Sequence, residues 1–324
     1  MGVFTVRGLS SLSGKDPVGY ERHALHSTQR TYAETNCYVD VLVELLHACG
    51  YEPMALLAHI VRMDFEGDQW TFFKPPPEDL EALYGIDIHE MNPYRPIPTQ
   101  IAEQLELGRA MIVELDSWYL PDTATTSYRS AHVKTSCSFD AIDPDAQALR
   151  YFHGPGLFEL EGEDYRGVFR IGDLAEDVLP PYAEIVRFDA GEKLEHEALR
   201  EASMMTLRRH LAKRPADNPV ERFGMALVRA LPELRAGGLG EYHAYAFATV
   251  RITGSGFEAL GSYTQWLFGG DAAPLAGPIG AIVDACKALS FRLARRREFD
   301  PQELLGAMAR SWDEAMALLV RMVA

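Results

Sequence analysis

Hydrophobic periodicity changes character near residue 191 of this chain. Before that point, short apolar runs bounded by turn residues occupy 110–115, 132–142, 149–152, 157–160, 168–171 and 183–188, and they predict strands. Beyond it, segments 194–211, 220–231, 278–293 and 301–323 repeat their apolar residues at helical spacing. This segregation predicts an α+β fold followed by an all-helical C-terminal part.

The length of 324 residues suggests two packed units, since a domain commonly has roughly 150 residues. The change in periodicity predicts one domain over 1–190 with an antiparallel sheet, and a helical domain over 191–324. Within the first domain, 36–49, 53–63, 77–84 and 98–107 begin at capping residues or prolines and predict helices. The sheet is therefore expected to follow a helical front part.

The composition narrows the classes of function. A formal net charge of -16 argues against nucleic acid as a partner, because affinity for phosphate backbones comes from Lys and Arg. The start lacks the basic flank and apolar core of a signal peptide, and a membrane helix is not expected, so we predict a cytoplasmic protein. Four widely spaced cysteines predict reduced thiols and no metal site.

Cys37 lies where a reactive thiol is expected. Apolar residues at helical spacing follow it, Thr35 or Asn36 can cap the helix start, and Gly50 fits the stop. The N-terminus of a helix favours thiolate over thiol, through unpaired backbone N–H groups and the helix dipole. A buried cysteine acting as a small apolar side chain is the competing explanation.

A thiolate nucleophile needs a base, and His132 is the candidate among ten histidines. It opens a strand-like run about a hundred residues after Cys37. A third residue is expected to orient the imidazole, and Asp140, Asp143 and His153 all compete for this role. Asp143 precedes Pro144 in a predicted turn, and a role in forming that turn explains this aspartate equally well.

The other histidines near the front of the chain stand in turns or helices without a nucleophile at a comparable position, and we interpret them as structural or exposed. They are His23, His26, His47, His59 and His89.

Two further segments are candidates for a pocket beside the thiol. The first, 64–74, is rich in aromatic and polar residues around a glycine; Gln69 is a candidate oxyanion donor, and Trp70 either lines the pocket or belongs to the core. The second runs from Asp116 through Tyr119 to Pro121 and ends the first strand of the sheet. Asn36 is a further candidate beside the thiol.

These residues resemble motifs of the acyltransferase family of butirosin biosynthesis, in which an early N-C pair, a V-D-x-x-Y-L-P strand end and a later H-x-V strand recur. The matching segments here are 36–37, 114–121 and 132–133. The chain is similar also to an uncharacterised bacterial family of the same length, marked by E-T-N-C-Y-V-D, F-E-G-D-Q-W-T-F-F-K, H-V-K-T and L-R-Y-F-H. The resemblance covers roughly residues 30 to 190.

The resemblance implies a papain-like first domain. It also implies transfer of an acyl or aminoacyl group from a carrier-protein thioester to an amine through an acyl-cysteine. The partners would be an acyl or aminoacyl carrier protein bearing a phosphopantetheine thioester and a small amine acceptor, with no bound cofactor. Where the relatives end their second strand in Asp-Pro, this chain has His153. Either His153 or Asp143 is then expected to orient His132.

Two other functions fit the same residues. A thiol hydrolase or peptidase differs from the acyltransferase only in that water, and not an amine, attacks the acyl-enzyme. A catalytically silent protein would instead bind a carrier protein or another partner, and its Cys37 would be buried. For docking, the candidates are two basic clusters, although a solvated helix face is the favoured explanation for them. The clusters are Arg208, Arg209, His210, Lys213 and Arg214, and Arg292, Arg295, Arg296 and Arg297.

Overall fold

A computed structural model of the chain describes residues 11–172, 179–295 and 298–324. The chain forms two compact units. The first contains the described residues up to His26, together with Asn36–Pro53 and Pro77–Leu194; the second contains Ser27–Thr35, Met54–Pro76 and Glu195–Ala324. Two short stretches of the N-terminal half thus belong to the second unit. The predicted domain division at residue 190 stays a prediction.

The elements confirm the α+β class, with antiparallel sheets in the N-terminal part and helices in the C-terminal part. The helices are α1 (Cys37–Ala48), α2 (Pro77–Tyr84), α3 (Ile97–Glu106), α4 (Gly162–Val168), α5 (His196–Leu211), α6 (Pro219–Ala236), α7 (Leu239–Ala246), α8 (Ile252–Phe268), α9 (Ala273–Ala294) and α10 (Gln302–Val323). The strands are β1 (Phe65–Glu66), β2 (Gln69–Trp70), β3 (Asp87–Glu90), β4 (Ala110–Asp116), β5 (Lys134–Asp143), β6 (Ala148–His153), β7 (Gly156–Glu161) and β8 (Ala183–Arg187).

The main sheet belongs to the first unit. Its strand order is β3-β8-β4-β5-β6-β7, and every neighbouring pair is antiparallel. One face carries a buried cluster that includes Val113, Cys137, Phe139 and Tyr151, with Ile101 of α3 packed against it. Helix α1 packs on β5, and because Cys37 contacts Ser136, whose side chain alternates with that of Cys137, α1 lies on the opposite face.

Helix α1 begins and ends where the sequence predicts. The side chain of Asn36 accepts a hydrogen bond from Val39 N–H, which caps the first turn. At the other end Gly50 has φ +77°, a left-handed conformation that suits glycine, and its N–H donates to His47 C=O at 3.0 Å. The first residue of α1 is Cys37, so the predicted helix N-terminal position of this thiol is confirmed.

Some local predictions were wrong. Segment 168–171 was predicted as a strand, but it begins at Val168, the last residue of α4, in which Tyr165 and Val168 are buried at helical spacing. A run of four residues does not by itself distinguish a strand from a helix. Segment Pro53–Arg62, predicted to be helical, is a 3₁₀ helix. Strand β3, the β1–β2 hairpin and helices α7 and α8 were not predicted.

The second unit is mostly helical and holds its two N-terminal stretches through specific contacts. The carboxylate of Glu258 accepts from the N–H groups of Thr31 and Tyr32 at 2.9 and 2.7 Å. In α8, a Cβ added at Gly254 would lie 2.4 Å from the ring of Tyr32, so only glycine allows this close approach. The hairpin packs on α6 through Trp70 against Phe223.

One helical stretch, Leu239–Ala294, is long and apolar enough to cross a membrane by length and composition alone. Half of its most apolar window is buried inside the protein. A single stretch of this kind is weak support for a membrane span, because buried core helices have the same composition. Cytoplasmic localisation stays a prediction.

Candidate functional site

Cys37 is the first residue of α1 and is half-buried. Its Sγ lies 3.6 Å from Oγ of Ser136, a side chain of β5 that is 2 % exposed. In the described part of the chain, the backbone N–H of Cys37 has no acceptor, as expected for the first turn of a helix. The thiol therefore combines partial solvent access with an adjacent free donor.

His132 is held by the side chains of Asp116, the last residue of β4, and of Trp118 just beyond the strand. Its Nδ1–H donates to Oδ2 of Asp116 at 2.6 Å, and its ring stacks on Trp118 with centroids 4.5 Å apart and planes 8° apart. Oδ1 of Asp116 accepts from Trp118 N–H at 3.0 Å. Since the carboxylate fixes the proton on Nδ1, Nε2 is left to accept a proton. The His132 side chain is 65 % exposed.

The register of β4 and β5 relates the thiol to this imidazole. Ser136 lies opposite Glu114, and Lys134 lies opposite Asp116. The pairing continues past the strand end, because Ser117 N–H donates to Val133 C=O at 2.9 Å.

Side chains alternate between faces along a strand, so residues 132, 134 and 136 share the face that carries α1. Within this row Cys37 contacts Ser136, and His132 lies four residues before Ser136 in the chain. Among the described residues, no hydrogen bond joins Cys37 to a histidine.

The residue that orients His132 is Asp116, and the prediction of His153 or Asp143 in that role is corrected. His153 lies opposite Cys137 on the core face of the sheet. Its Nδ1 bonds Oδ2 of Asp122 at 2.5 Å and its Nε2 bonds Oγ1 of Thr135 at 2.8 Å.

The other two carboxylates proposed for this role have structural partners away from His132. Asp143 ends β5 at the end away from His132 and accepts from the N–H groups of Asp145 and Ala146 in the turn. Asp140 is fully buried and accepts from the hydroxyl of Ser11 and the N–H of Ser13.

The remaining predicted pocket residues separate into three groups. Asn36 caps α1 beside the thiol. Tyr119 packs against Gly167 of α4 and under the guanidinium of Arg129, so it acts as a structural side chain. Gln69 is exposed and Trp70 is buried, and both belong to the second unit. The contacts of Trp70 therefore support its assignment to the core. The role of Gln69 as an oxyanion donor stays a prediction.

A buried ionic cluster near α1 was not predicted from the sequence. His26, 2 % exposed, contacts the carboxylates of Asp40 and Glu44, and Glu44 also accepts from the hydroxyl of Tyr20. Burial lowers the pKa of His26, but the hydrogen bonds to the two carboxylates outweigh it and raise the pKa to about 9. The imidazolium therefore ties the N-terminal segment to α1, which agrees with a structural role for this histidine.

The other three thiols have environments that disfavour reaction. Burial, with a smaller contribution from Asp140, raises the pKa of Cys49 to about 12. Cys137 and Cys286 are fully buried, and burial raises the pKa of each. Among the described residues, no group of His, Cys, Asp and Glu is arranged to hold a metal ion. Cys37 is the thiol best placed for chemistry.

Sequence reasoning missed Ser136 and Trp118 as site residues. Ser136 belongs to a predicted strand, and the alternation of Thr135, Ser136 and Cys137 predicts opposite faces without showing which face meets α1. Trp118 follows Asp116 by two residues, the spacing of a short side-chain cap, which was the available signal.

Comparison with protein families covers both parts of the chain. The N-terminal domain model of the DUF1839 family matches residues 21–188, and its C-terminal domain model matches residues 196–321. No curated protein matches the chain. The two matches agree with the resemblance to an uncharacterised family.

Proposed function

The chain belongs to the DUF1839 family, and we propose that it is a cysteine-dependent acyltransferase of papain-like ancestry. It transfers an acyl or aminoacyl group from a thioester to an amine through an acyl-cysteine on Cys37. The observation that carries this proposal is the thiol at the capped N-terminus of α1, half-buried and next to a free N–H group. An acyl oxyanion forming on this thiol would lie near that N–H.

The arrangement of helix and sheet supports the papain-like assignment. A nucleophile at a helix N-terminus faces a strand, and a histidine precedes that strand with a carboxylate on its far nitrogen. In the proposed enzyme, His132 is a general base in the transfer reaction, and Asp116 holds its tautomer. Hydrolysis by the same residues is the alternative outcome for the acyl-enzyme.

A silent binding protein is the second candidate, and one observation favours it. Sγ of Cys37 contacts a serine hydroxyl, and no histidine bonds it in the described part of the chain. Such a protein would keep the helix and sheet without turnover. The two candidates differ in the reactivity of one thiol, so a direct chemical test separates them.

The test is alkylation by iodoacetamide at pH 6, followed by intact mass measurement. We expect one label, added at least about tenfold faster than to a free thiol with an ordinary pKa, and lost in Cys37→Ala. Cys49→Ala is the matched control and should keep the label, because burial holds the Cys49 thiol protonated. Labelling no faster than a free thiol would refute the enzyme and support the silent protein.

A carrier protein with a phosphopantetheine thioester is the proposed donor, and the basic end of α5 is its proposed docking surface. Arg208, Arg209, Lys213 and Arg214 are exposed there on an acidic chain. His210 of the same cluster is buried, and Arg296 and Arg297 of the second cluster lie outside the described residues. Association that weakens as salt shortens the Debye length from about 30 to about 8 Å would support this surface; salt-independent binding would refute it.

A further inference from the structure

The positions of the thiol and the imidazole determine which proton the imidazole can take. Ser136 lies within β5, which begins at Lys134, and His132 lies two residues before that strand. Cys37 meets the row at Ser136. Direct proton transfer needs a separation of about 3 Å. Among the described residues, the polar contact of the thiol is with Ser136 and that of the imidazole is with Asp116, so in this arrangement the thiol has no hydrogen bond through which His132 could take its proton.

The space between the two groups faces solvent. Lys134 stands between Ser136 and His132 on the same face, and its side chain is 58 % exposed. It bonds the carboxylate of Glu114 at 2.8 Å, which directs it across the strands toward β4. Nε2 of His132 has no protein partner in the described part of the chain. A substrate that enters from solvent can therefore reach the imidazole.

The two half-reactions differ in their need for a base. In the first, the thiolate sulfur bonds the donor carbonyl carbon and the donor's own thiolate leaves, so one thiolate replaces another and no proton has to move. In the second, the acceptor nitrogen bonds the acyl carbon, the C–S bond to Cys37 breaks, and the sulfur regains its negative charge. The nitrogen then has a surplus proton, which a base must take.

We infer that the reaction is divided between two centres: Cys37 beside Ser136 accepts the acyl group, and His132 held by Asp116 takes the proton of the acceptor amine. This inference rests on the proposed acyl transfer. The amine attacks at about 3–3.5 Å from the acyl carbon and gives its proton at about 3 Å from Nε2. The nitrogen of the acceptor thus lies between the acyl carbon on Cys37 and Nε2 of His132.

Each centre contains what its own step requires. The hydroxyl of Ser136, buried and in contact with Sγ, can donate to the thiolate but cannot act as its base at neutral pH. At the second centre, the carboxylate of Asp116 stabilises the imidazolium formed when His132 takes the proton. Stacking on Trp118 fixes the plane of the ring, so that Nε2 has one direction of approach.

The experiment is a single-turnover study of the full chain with an acetyl thioester of N-acetylcysteamine as donor. Rapid mixing and intact mass measure acetylation of Cys37, and a second mixing with ethylamine measures transfer. For His132→Gln we expect acetylation within about twofold of the unmutated protein and transfer slowed at least about 100-fold. Ser136→Ala should show the reverse, with slower acetylation and transfer within about twofold.

Hydroxylamine as acceptor provides the internal control, because it is unprotonated at pH 7 and attacks thioesters without a base. Acetyl-Cys37 in His132→Gln should react with it at the rate of the unmutated protein. Equal slowing of acetylation and transfer in His132→Gln would refute the division. Absence of any acetyl-Cys37 in the unmutated protein would refute the proposed function itself, and the inference with it.

Discussion

Two histidine–aspartate pairs flank strand β5, and they differ in what surrounds them. His132 and Asp116 lie on the face that carries α1, where the imidazole is 65 % exposed and Nε2 is free among the described residues. His153 and Asp122 lie on the core face, where the imidazole side chain is 13 % exposed and both nitrogens are bonded. The same two residue types therefore form a candidate base in one place and a closed structural network in the other.

The difference shows that a histidine–aspartate pair can act as a base only if one imidazole nitrogen is free. An imidazole with both nitrogens engaged has no lone pair for a substrate proton. A buried pair in a complete network instead contributes to stability, since removing one member leaves the others unsatisfied. The first prediction concerns activity and the second concerns stability.

His132→Gln should lower steady-state transfer of an acyl group to an amine by about 10²–10⁴-fold. The thermal midpoint should stay within about 2 °C, because the side chain is exposed. His89→Gln is the matched control, since His89 forms an exposed pair with Asp87 at 3.2 Å on β3. Full activity of both variants in the transfer assay would show that His132 is not the base.

His153→Gln should reduce the free energy of unfolding by about 2–3 kcal/mol, because Asp122 and Thr135 lose a buried partner. Activity per folded molecule should change by less than about threefold. Denaturant unfolding measures the first quantity, and transfer rates corrected for the folded fraction measure the second. A stable variant with lost activity would assign the catalytic role to His153 and reverse the comparison.

His26 extends the comparison to a buried histidine with a charge. Its pKa in the folded state, about 9, lies above the ordinary value of 6.5. The contribution to stability is therefore full below about pH 6.5 and is lost as pH rises through about 9, and it amounts to roughly 3 kcal/mol. Unfolding free energies of the unmutated protein and of His26→Gln, measured at pH 6 and pH 10, should converge at the higher pH. A constant difference across this range would contradict the charged imidazole.

Trp118→Leu should have the smallest effect, about tenfold on transfer. The stacked ring orients His132 but touches no reacting atom in the proposed mechanism. Trp118→Phe keeps an aromatic face and should recover most of the rate. If Trp118→Leu is fully active, the bond to Asp116 alone orients the imidazole.

The helix that carries the thiol was predicted correctly because its signals are local. A cap at Asn36, apolar residues at helical spacing and a glycine at position 50 act within a few residues of one another. The α+β class followed from the change in periodicity for the same reason. Strand 168–171 was predicted wrongly because a run of four residues fits either element.

The partner of His132 was not predictable because it depends on register. Asp116 was placed in a pocket, while His153 and Asp143 competed for the orienting role. Pairing of Asp116 with Lys134 brings its carboxylate to His132, and pairing of His153 with Cys137 turns that ring to the core. A shift of one residue would exchange the faces of a whole strand.

The sequence by itself determined that Cys37 opens a helix, that strands precede a helical C-terminal part, and that the chain is strongly acidic. These properties arise from near neighbours in the chain or from composition. Only the tertiary structure decided that Ser136 contacts the thiol, that Asp116 holds His132, and that His153 belongs to the core. The physical reason is that strand pairing and side-chain alternation, which join residues far apart in sequence, choose the neighbours of each reactive group.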